Sequence, residues 1–247
     1  MPASPIPART RAKASIAPAA DEAKNAAALT LAPRRRRKQA RPRELIDAAL
    51  ELFVSKGFTA TRIEEVAQHA GVSKGTLYLY FPSKQDLLQA VIREHVSTRI
   101  SAGAVEIGQF QGNSADLLGA IVQRWCDDVY DSPVSGVFKV VITEARNFPD
   151  IADFWQREVR LPGEKLLAQV LRRGVERGEF HALDVPSAVH SLALPMVMLC
   201  VHKHTLGASD LPQPLPLDGR AFMRAHLQLL LNGMRAAPTA HPGETLT

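Results

Sequence analysis

Residues 61–88 read TRIEEVAQHAGVSKGTLYLYFPSKQDLL, two short helical patterns hinged on Ala70-Gly71-Val72, and no other stretch narrows the fold so far. Helix starts leave unpaired backbone N–H groups, and Thr61 with Glu64 has the spacing of a capping box, so a first helix is predicted from about Arg62. Ile63, Val66, Ala67 and Ala70 fall at i, i+3, i+4 and i+7 and make one apolar stripe, while Glu64, Glu65, Gln68 and His69 face elsewhere. Gly71 tolerates a positive φ, Val72 is an apolar plug and Ser73 is a second N-cap, so the chain reverses before a new helix. There Leu77 and Phe81 share the inward side, which leaves Lys74, Thr76, Tyr78 and Tyr80 for a major groove, and Gly75 removes a side chain where phosphate approaches. Pro82 stops the run. Ser83 and Asp86 then cap a third helix whose first residue, Lys84, stands at an N-terminus suited to phosphate. This is the layout of a DNA-reading helix-turn-helix.

Caps, a glycine turn and an apolar stripe occur in any small helical hairpin, so the exposed set is what separates this one. Two tyrosines, a lysine, a threonine and the capping serine are a poor choice for a merely solvated helix face, where Glu, Lys and Gln have better propensity. Residues 43–88 resemble the N-terminal domain of the tetracycline-repressor (TetR) family. The resemblance is carried by Ile46, Ala49, Leu50, Phe53 and Gly57, by Thr61, Ile63 and Ala67, and by Ala70-Gly71-Val72-Ser73, Gly75-Thr76-Leu77-Tyr78, Tyr80-Phe81 and Lys84. Position 80 is commonly His or Tyr in that pattern. The resemblance implies that Thr61, Ser73, Tyr80 and Lys84 mainly hold phosphates, that Lys74, Thr76 and Tyr78 approach base edges or the groove wall, and that Arg62 does either. Phosphate contacts fix register, and base contacts supply specificity.

The formal net charge of +5 is unevenly placed. Residues 1–43 hold eleven Lys or Arg against two acidic residues, a balance of +9, so residues 44–247 carry −4. Arg34 to Lys38 is an unbroken basic run directly ahead of the first helix; it lies along a DNA backbone, enters a minor groove or is a plain solvated leader. From Met1 to about Ala40 the chain is rich in Ala and Pro and nearly without large apolar residues, so burial does not offset ordering entropy and disorder is predicted over 1–40. Charges and prolines interrupt any apolar core of a secretory signal. An acid-poor, Arg-containing leader superficially resembles a transit peptide, but the DNA-reading segment points to a bacterial cytoplasmic, nucleoid-associated protein. Cys126 and Cys200 stand at no metal-ligand spacing and fit a reducing compartment.

Beyond residue 84 apolar residues recur at three and four, with no sustained alternation, so the fold class is all-α: a three-helix reader over 41–88 and a larger helical body over 89–236, followed by a loose tail over 237–247. Leu87, Leu88, Val91, Ile92, Val96 and Ile100 extend one long helix from Lys84 to about Ile107. Further helices are predicted near 114–130, 133–146, 149–177, 184–205 and 218–235, with a proline-rich loop at Pro212, Pro214 and Pro216. Val137 to Ala152, Phe154-Trp155 and Arg177-Gly178-Glu179-Phe180 are similar to regulatory domains in one branch of the TetR family, which implies a ligand-responsive body dimerising through its last two long helices. The apolar run Leu192 to Val201 has no polar side and is expected to be buried on most of its circumference; ten residues are too few to span a bilayer, so no membrane partner is expected.

Trp125, Phe138, Ile142, Phe154, Trp155, Met196 and Met198 are candidate lining for an effector cavity, although such spacing equally describes plain core. Glu144 and Arg146 either anchor a polar ligand group or pair with neighbours. His202 and His204 diverge by about 200° on a helix and do not easily share an ion. No metal and no cofactor are expected. The expected partners are a palindromic double-stranded DNA operator, a second copy of the chain and a small-molecule effector. A repressor released by that effector is the leading reading. A DNA-organising protein with little sequence discrimination is the alternative, and an enzyme is disfavoured because no phosphate loop, nucleophile elbow or HExxH pattern appears.

Overall fold

The computed structural model describes residues 42–208 and 216–235. The tail expected over 1–40 with its Arg34–Lys38 run, Pro212 and Pro214 of the expected loop, and the tail expected over 237–247 lie outside the described residues. Among the described residues every regular element is helical, apart from an isolated bridge between Phe180 and Arg235.

Helix α1 covers 42–56, α2 Ile63–His69 and α3 Lys74–Tyr80. α1 turns Leu45, Ala49 and Phe53 inward at a spacing of four. α2 begins one residue later than predicted: Arg62 is the N-cap, and its backbone N donates to Glu65 Oε2 at 3.2 Å. A guanidinium has no lone pair to return, so this is half a capping box. α2 ends as the sequence suggests, with Gly71 at φ +66°. Val72 N donates to Ala67 O at 2.9 Å and Gly71 N to Gln68 O at 3.0 Å, the paired bonds of a Schellman turn. Ser73 Oγ accepts from Thr76 N at 3.1 Å to start α3, and Ser83 Oγ accepts from Asp86 N at 3.0 Å to start α4.

α4, Lys84–Ile92, continues through a π-helical turn, Arg93–Ser97, into α5, Thr98–Gln109. The long helix is thus present, with a widened turn that the sequence pattern did not announce. α6, Ser114–Trp125, α7, Ser135–Glu144, and α8, Pro149–Trp155, follow. π turns at Cys126–Tyr130 and Gln156–Arg160 extend α6 and join α8 to α9, Leu161–Glu176. α10, Val185–Lys203, and α11, Gly219–Met234, complete the described chain.

Two apolar cores result. In the first, residues of α1 to α4 pack with Phe138, Ile151 and Phe154, so the reader shares its core with α7 and α8. The contact is close: a Cβ added at Gly136 on α7 would lie 2.3 Å from Val54 Cγ1 on α1. Phe58 and Phe148 meet edge to face, with centroids 5.1 Å apart at 84°. The second core joins α6, α9, α10 and α11 around Leu118, Leu171, Leu192 and Met223.

α10 corrects one expectation. Leu192, Leu199 and Cys200 are buried, but Leu194 and Met198 are 64% and 62% exposed, so the apolar run has one covered side rather than a covered circumference. α7 and α9 supply that cover. The apolar stretch is also longer than ten residues: Val185–Ala208 is long and apolar enough to cross a bilayer by length and composition, although its inner side is packed in the core. Within α10, Pro195 has no N–H to give the carbonyl of Ser191 four residues back. His226 of α11 fills that vacancy, its Nε2 lying 2.8 Å from Ser191 O. As a carbonyl only accepts, the ring nitrogen is the donor.

Candidate nucleic-acid interface

α3 spans about 10 Å, and Leu77, with no exposure, anchors it. Tyr80 and Phe81 pack half-buried against the same core. The opposite side is open: Ser73, Lys74 and Gly75 are exposed, as are Tyr78 and Leu79, at 42% and 84%. Thr76 is half-buried and its Oγ1 lies 2.9 Å from Ser73 Oγ. Arg62, at the mouth of α2, is exposed. A Cβ at Gly75 would meet nothing nearer than Ser73 Oγ at 3.9 Å, so nothing inside the protein requires glycine there. The open side therefore presents hydroxyls that donate and accept, an aromatic edge and a bare leucine. Leu79 is not among the residues predicted for the groove, although its placement follows from helix geometry: two residues along a helix is about 200°, so a buried Leu77 sends Leu79 outward.

The charges on this face are largely committed. Lys74 Nζ pairs with Glu64 Oε1 and lies 5.8 Å from the Tyr78 ring centroid. The bond from Lys74 holds the Glu64 carboxyl below its ordinary range and raises the lysine in turn. Lys56 pairs with Glu65 at 3.1 Å.

Two residues expected to hold phosphate have other roles. Thr61 is 1% exposed, and its Oγ1 donates to Gly57 O at 2.7 Å and reaches Leu52 O at 3.2 Å, locking the end of α1. It has no path to a ligand through its side chain. Lys84 Nζ donates to Phe58 O at 2.8 Å, Thr61 O at 2.9 Å and Thr59 O at 3.2 Å, and sits 4.6 Å from the Phe58 ring centroid. An ammonium has three N–H donors, and all three are used. Lys84 thus caps the carbonyls of the α1–α2 loop, and burial pushes its pKa down against the opposing charge of Glu144.

A family model described as bacterial regulatory proteins, tetR family, matches residues 45–91, and one described as a tetracyclin repressor-like C-terminal domain matches residues 111–212. The chain belongs to the tetR family. A fatty acid metabolism regulator protein of Bacillus subtilis (strain 168) is 41% identical over 89 residues, 35% of this chain and 45% of that protein; the chain thus spans less than half the length of that curated relative. Among solved structures, the fatty acid degradation regulator FadR of Bacillus halodurans has a TM-score of 0.64 at 23% identity, covering 80% of this chain and 97% of that one. Bacillus subtilis FadR in complex with stearoyl-CoA has a TM-score of 0.56 at 20% identity, covering 77% and 97%. At these identities the two structures share a fold with this TetR-family chain.

In the body, the seven candidate lining residues are dispersed. Phe138 meets Trp155 edge to face at 5.0 Å, Phe154 lies beneath the Arg93 guanidinium at 5.1 Å, and Trp125 tilts against Tyr130 at 5.6 Å. Met196 is half-buried, whereas Ile142 is 50% exposed and Met198 belongs to the open side of α10. A groove of about 440 Å³ between α6 and α11 is lined instead by residues such as Gly119, Val122, Cys126, Arg224, Leu227 and Leu231. None of the seven lines it. Glu144 holds the reader: its carboxylate accepts from Thr59 Oγ1 at 3.0 Å and from Asn147 Nδ2 at 3.3 Å.

Both cysteines are buried, and burial pushes the Cys126 thiol up and the Cys200 thiol up to about 12, which suits packing rather than nucleophilic chemistry. Among the described residues no cluster of His, Cys, Asp and Glu is placed to hold a metal. His204 Nε2 lies 2.8 Å from Ser135 Oγ, which resembles a hydrolytic pair. Ser135 is fully buried, however, and its hydroxyl donates to Ser132 O at 2.8 Å, so the imidazole is the donor to Oγ and does not take its proton.

Proposed function

We propose that this TetR-family protein is a sequence-specific DNA-binding transcriptional repressor that acts as a homodimer and leaves a palindromic operator when a small molecule binds its helical body. The observation that carries the proposal is the open side of α3, where Ser73, Lys74, Tyr78 and Leu79 stand exposed around a buried Leu77. Tyr78 and Lys74 supply polar contacts to base edges, and Leu79 suits the methyl group of thymine. Arg62, Ser73, Thr76 and Tyr80 remain as phosphate or groove-wall contacts, with Gly75 permitting close approach. One such helix reads few base pairs, and a twofold pair reads two half-sites about one helical turn apart.

The open apolar sides of α10 and α11 support pairing. Leu194 and Met198 are one turn apart on α10, and Phe222 and Leu229, 40% and 72% exposed, lie two turns apart on α11. A second copy covering them is the self-complementary solution. The α4–α5 rod joins reader to body and transmits the effector's preference for the released state. Long-chain acyl-CoA is the effector class to test first, because stearoyl-CoA is the molecule bound in the Bacillus subtilis FadR structure. A cytoplasmic, non-enzymatic role accords with the regulators this chain is similar to.

The test is titration of the purified full chain on the DNA upstream of its own gene and on random duplex at one salt concentration, with and without stearoyl-CoA. A preference of at least about a thousandfold for a footprinted palindrome is expected. Equal affinity for both duplexes would favour a DNA-organising protein. Release by stearoyl-CoA but not by free CoA would fix the effector class, and retention of the operator would exclude it.

A further inference from the structure

α6 and α11 leave a hollow between them. Arg220, at the start of α11, pairs with Asp127 and Asp131 beyond the end of α6, and Gly219 lies against the Tyr130 ring there. At the other end Leu231 and Arg235 share the groove with Ala115 and Asp116 of the first turn of α6, so the two helices run antiparallel. The groove holds about 440 Å³, within the range of small-molecule sites. Val122, Cys126, Leu227 and Leu231 line it and are all buried residues, which gives it an apolar floor. Gly119 explains the hollow: a Cβ there would meet nothing within 4 Å, so α6 has no side chain to fill it.

The rim is cationic. Arg220, Arg224 and Arg235 stand against one carboxylate, Asp116, so the charged lining sums to +2. That charge is unevenly matched. Arg220 has its two aspartates, and Arg235 has Asp116 at its end of the groove. Among the described residues the ion pairs of α11 are those of Arg220 alone, so Arg224 is left exposed and without a carboxylate partner. Burial raises the pKa of the Cys126 thiol, and the nearby Arg220 and Arg224 guanidiniums oppose that rise, which sets Arg224 beside the apolar floor. The groove is also separate from the side of α11 proposed to pair. Arg224 follows Phe222, and Leu231 follows Leu229, by two residues, about 200° round the helix, so a second copy covering Phe222 and Leu229 leaves the groove open.

Resting on the reading that the helical body takes a small molecule, we infer that this groove is its site and that the ligand is a single-chain amphiphile with an anionic head group. The alkyl chain lies along Val122, Cys126, Leu227 and Leu231, and a carboxylate or phosphate pairs with Arg224. A hydrophilic anion would leave the floor in water, and an uncharged chain would leave Arg224 unmatched. A free fatty acid and a fatty acyl-CoA both have the required chemistry. Bound there, either one ties α6 to the inner side of α11, whose opposite side faces the second copy, and so acts on the spacing of the two readers.

The full chain and its Gly119→Leu and Arg224→Gln variants are titrated by calorimetry with stearate, stearoyl-CoA and CoA. The Gly119→Leu side chain fills the groove and replaces a glycine in a helix interior, so a thermal midpoint equal to or above that of the parent is its folding control. Arg224→Gln alters only the exposed rim and decides alone should that midpoint fall. The parent is expected to bind stearate, stearoyl-CoA or both, and CoA at least about tenfold more weakly. The preferred chain-bearing ligand identifies the source. Gly119→Leu should weaken that binding about 100-fold or more, and Arg224→Gln about tenfold. Parent affinity in either folded variant overturns the inference, as does a parent that binds neither chain-bearing ligand or binds CoA equally well. The two readings fail separately on the DNA upstream of the gene. Release by stearoyl-CoA that both variants retain would keep the effector and move its site. Ligand binding lost in the variants, with no release of the parent from DNA, would keep the site and remove the effector role.

Discussion

Helices α3 and α10 are each held by one buried side, and their open sides differ in chemistry. α3 is seven residues long, anchored by Leu77, and opens hydroxyls, an ammonium and Tyr78 around a single apolar side chain, Leu79. α10 is nineteen residues long, anchored by Val189, Leu192, Leu199 and Cys200, and opens Leu194 and Met198. Burial explains why both helices form, but the chemistry left outside indicates what each one meets. A polar, hydrogen-bonding side suits a hydrated duplex, whereas an apolar side suits another apolar surface.

The largest effect that would break this contrast is expected on α10. Replacing Leu194 and Met198 together by Glu would place like charges in the proposed twofold interface, so on that proposal sedimentation should show monomers and operator affinity should fall about 100-fold or more as one half-site is lost. A variant that stays dimeric with full affinity would place the interface elsewhere. Next in size is Lys84→Met, which removes a cation held by three carbonyls and should lower the unfolding free energy in urea by about 2–3 kcal/mol. Its salt slope should hold. A stable variant with a flatter slope would restore Lys84 as a phosphate ligand. The smallest effects sharpen the contrast within the reader itself. Thr61→Val should cost about 1 kcal/mol of stability and leave operator preference alone. Tyr78→Ala should change stability by less than about 0.5 kcal/mol and shift base preference in a binding-site selection. The reverse pattern would exchange their roles.

What the sequence disclosed was local. The Schellman turn at Gly71, the serine caps at Ser73 and Ser83, and the helical stretches from Ser114 onward depend on residues within a turn or two of each other. What it concealed was distant. Lys84 finds its carbonyls 23 to 26 residues back along the chain, and no helix-terminus rule announces that the α1–α2 loop will be waiting there. Thr61 has the spacing of an N-cap, but carbonyls at Leu52 and Gly57 draw its hydroxyl inward and pass the cap to Arg62. Glu144 lies in an apolar helix, and its partner Thr59 is 85 residues away. The π turn at Arg93–Ser97 escapes a period-based reading because one widened turn leaves the apolar spacing on either side intact. For the effector cavity, helical spacing identifies residues that face inward without distinguishing a filled interior from a hollow one, and Phe138, Phe154 and Trp155 occupy the filled kind.

The bond between His226 and Ser191 makes α10 and α11 a matched set, because the acceptor exists only where Pro195 breaks the ladder and the donor comes from the other helix. A chimera importing either helix alone from a relative would strand a carbonyl or an imidazole, so grafting a foreign pairing specificity onto this scaffold requires moving both together.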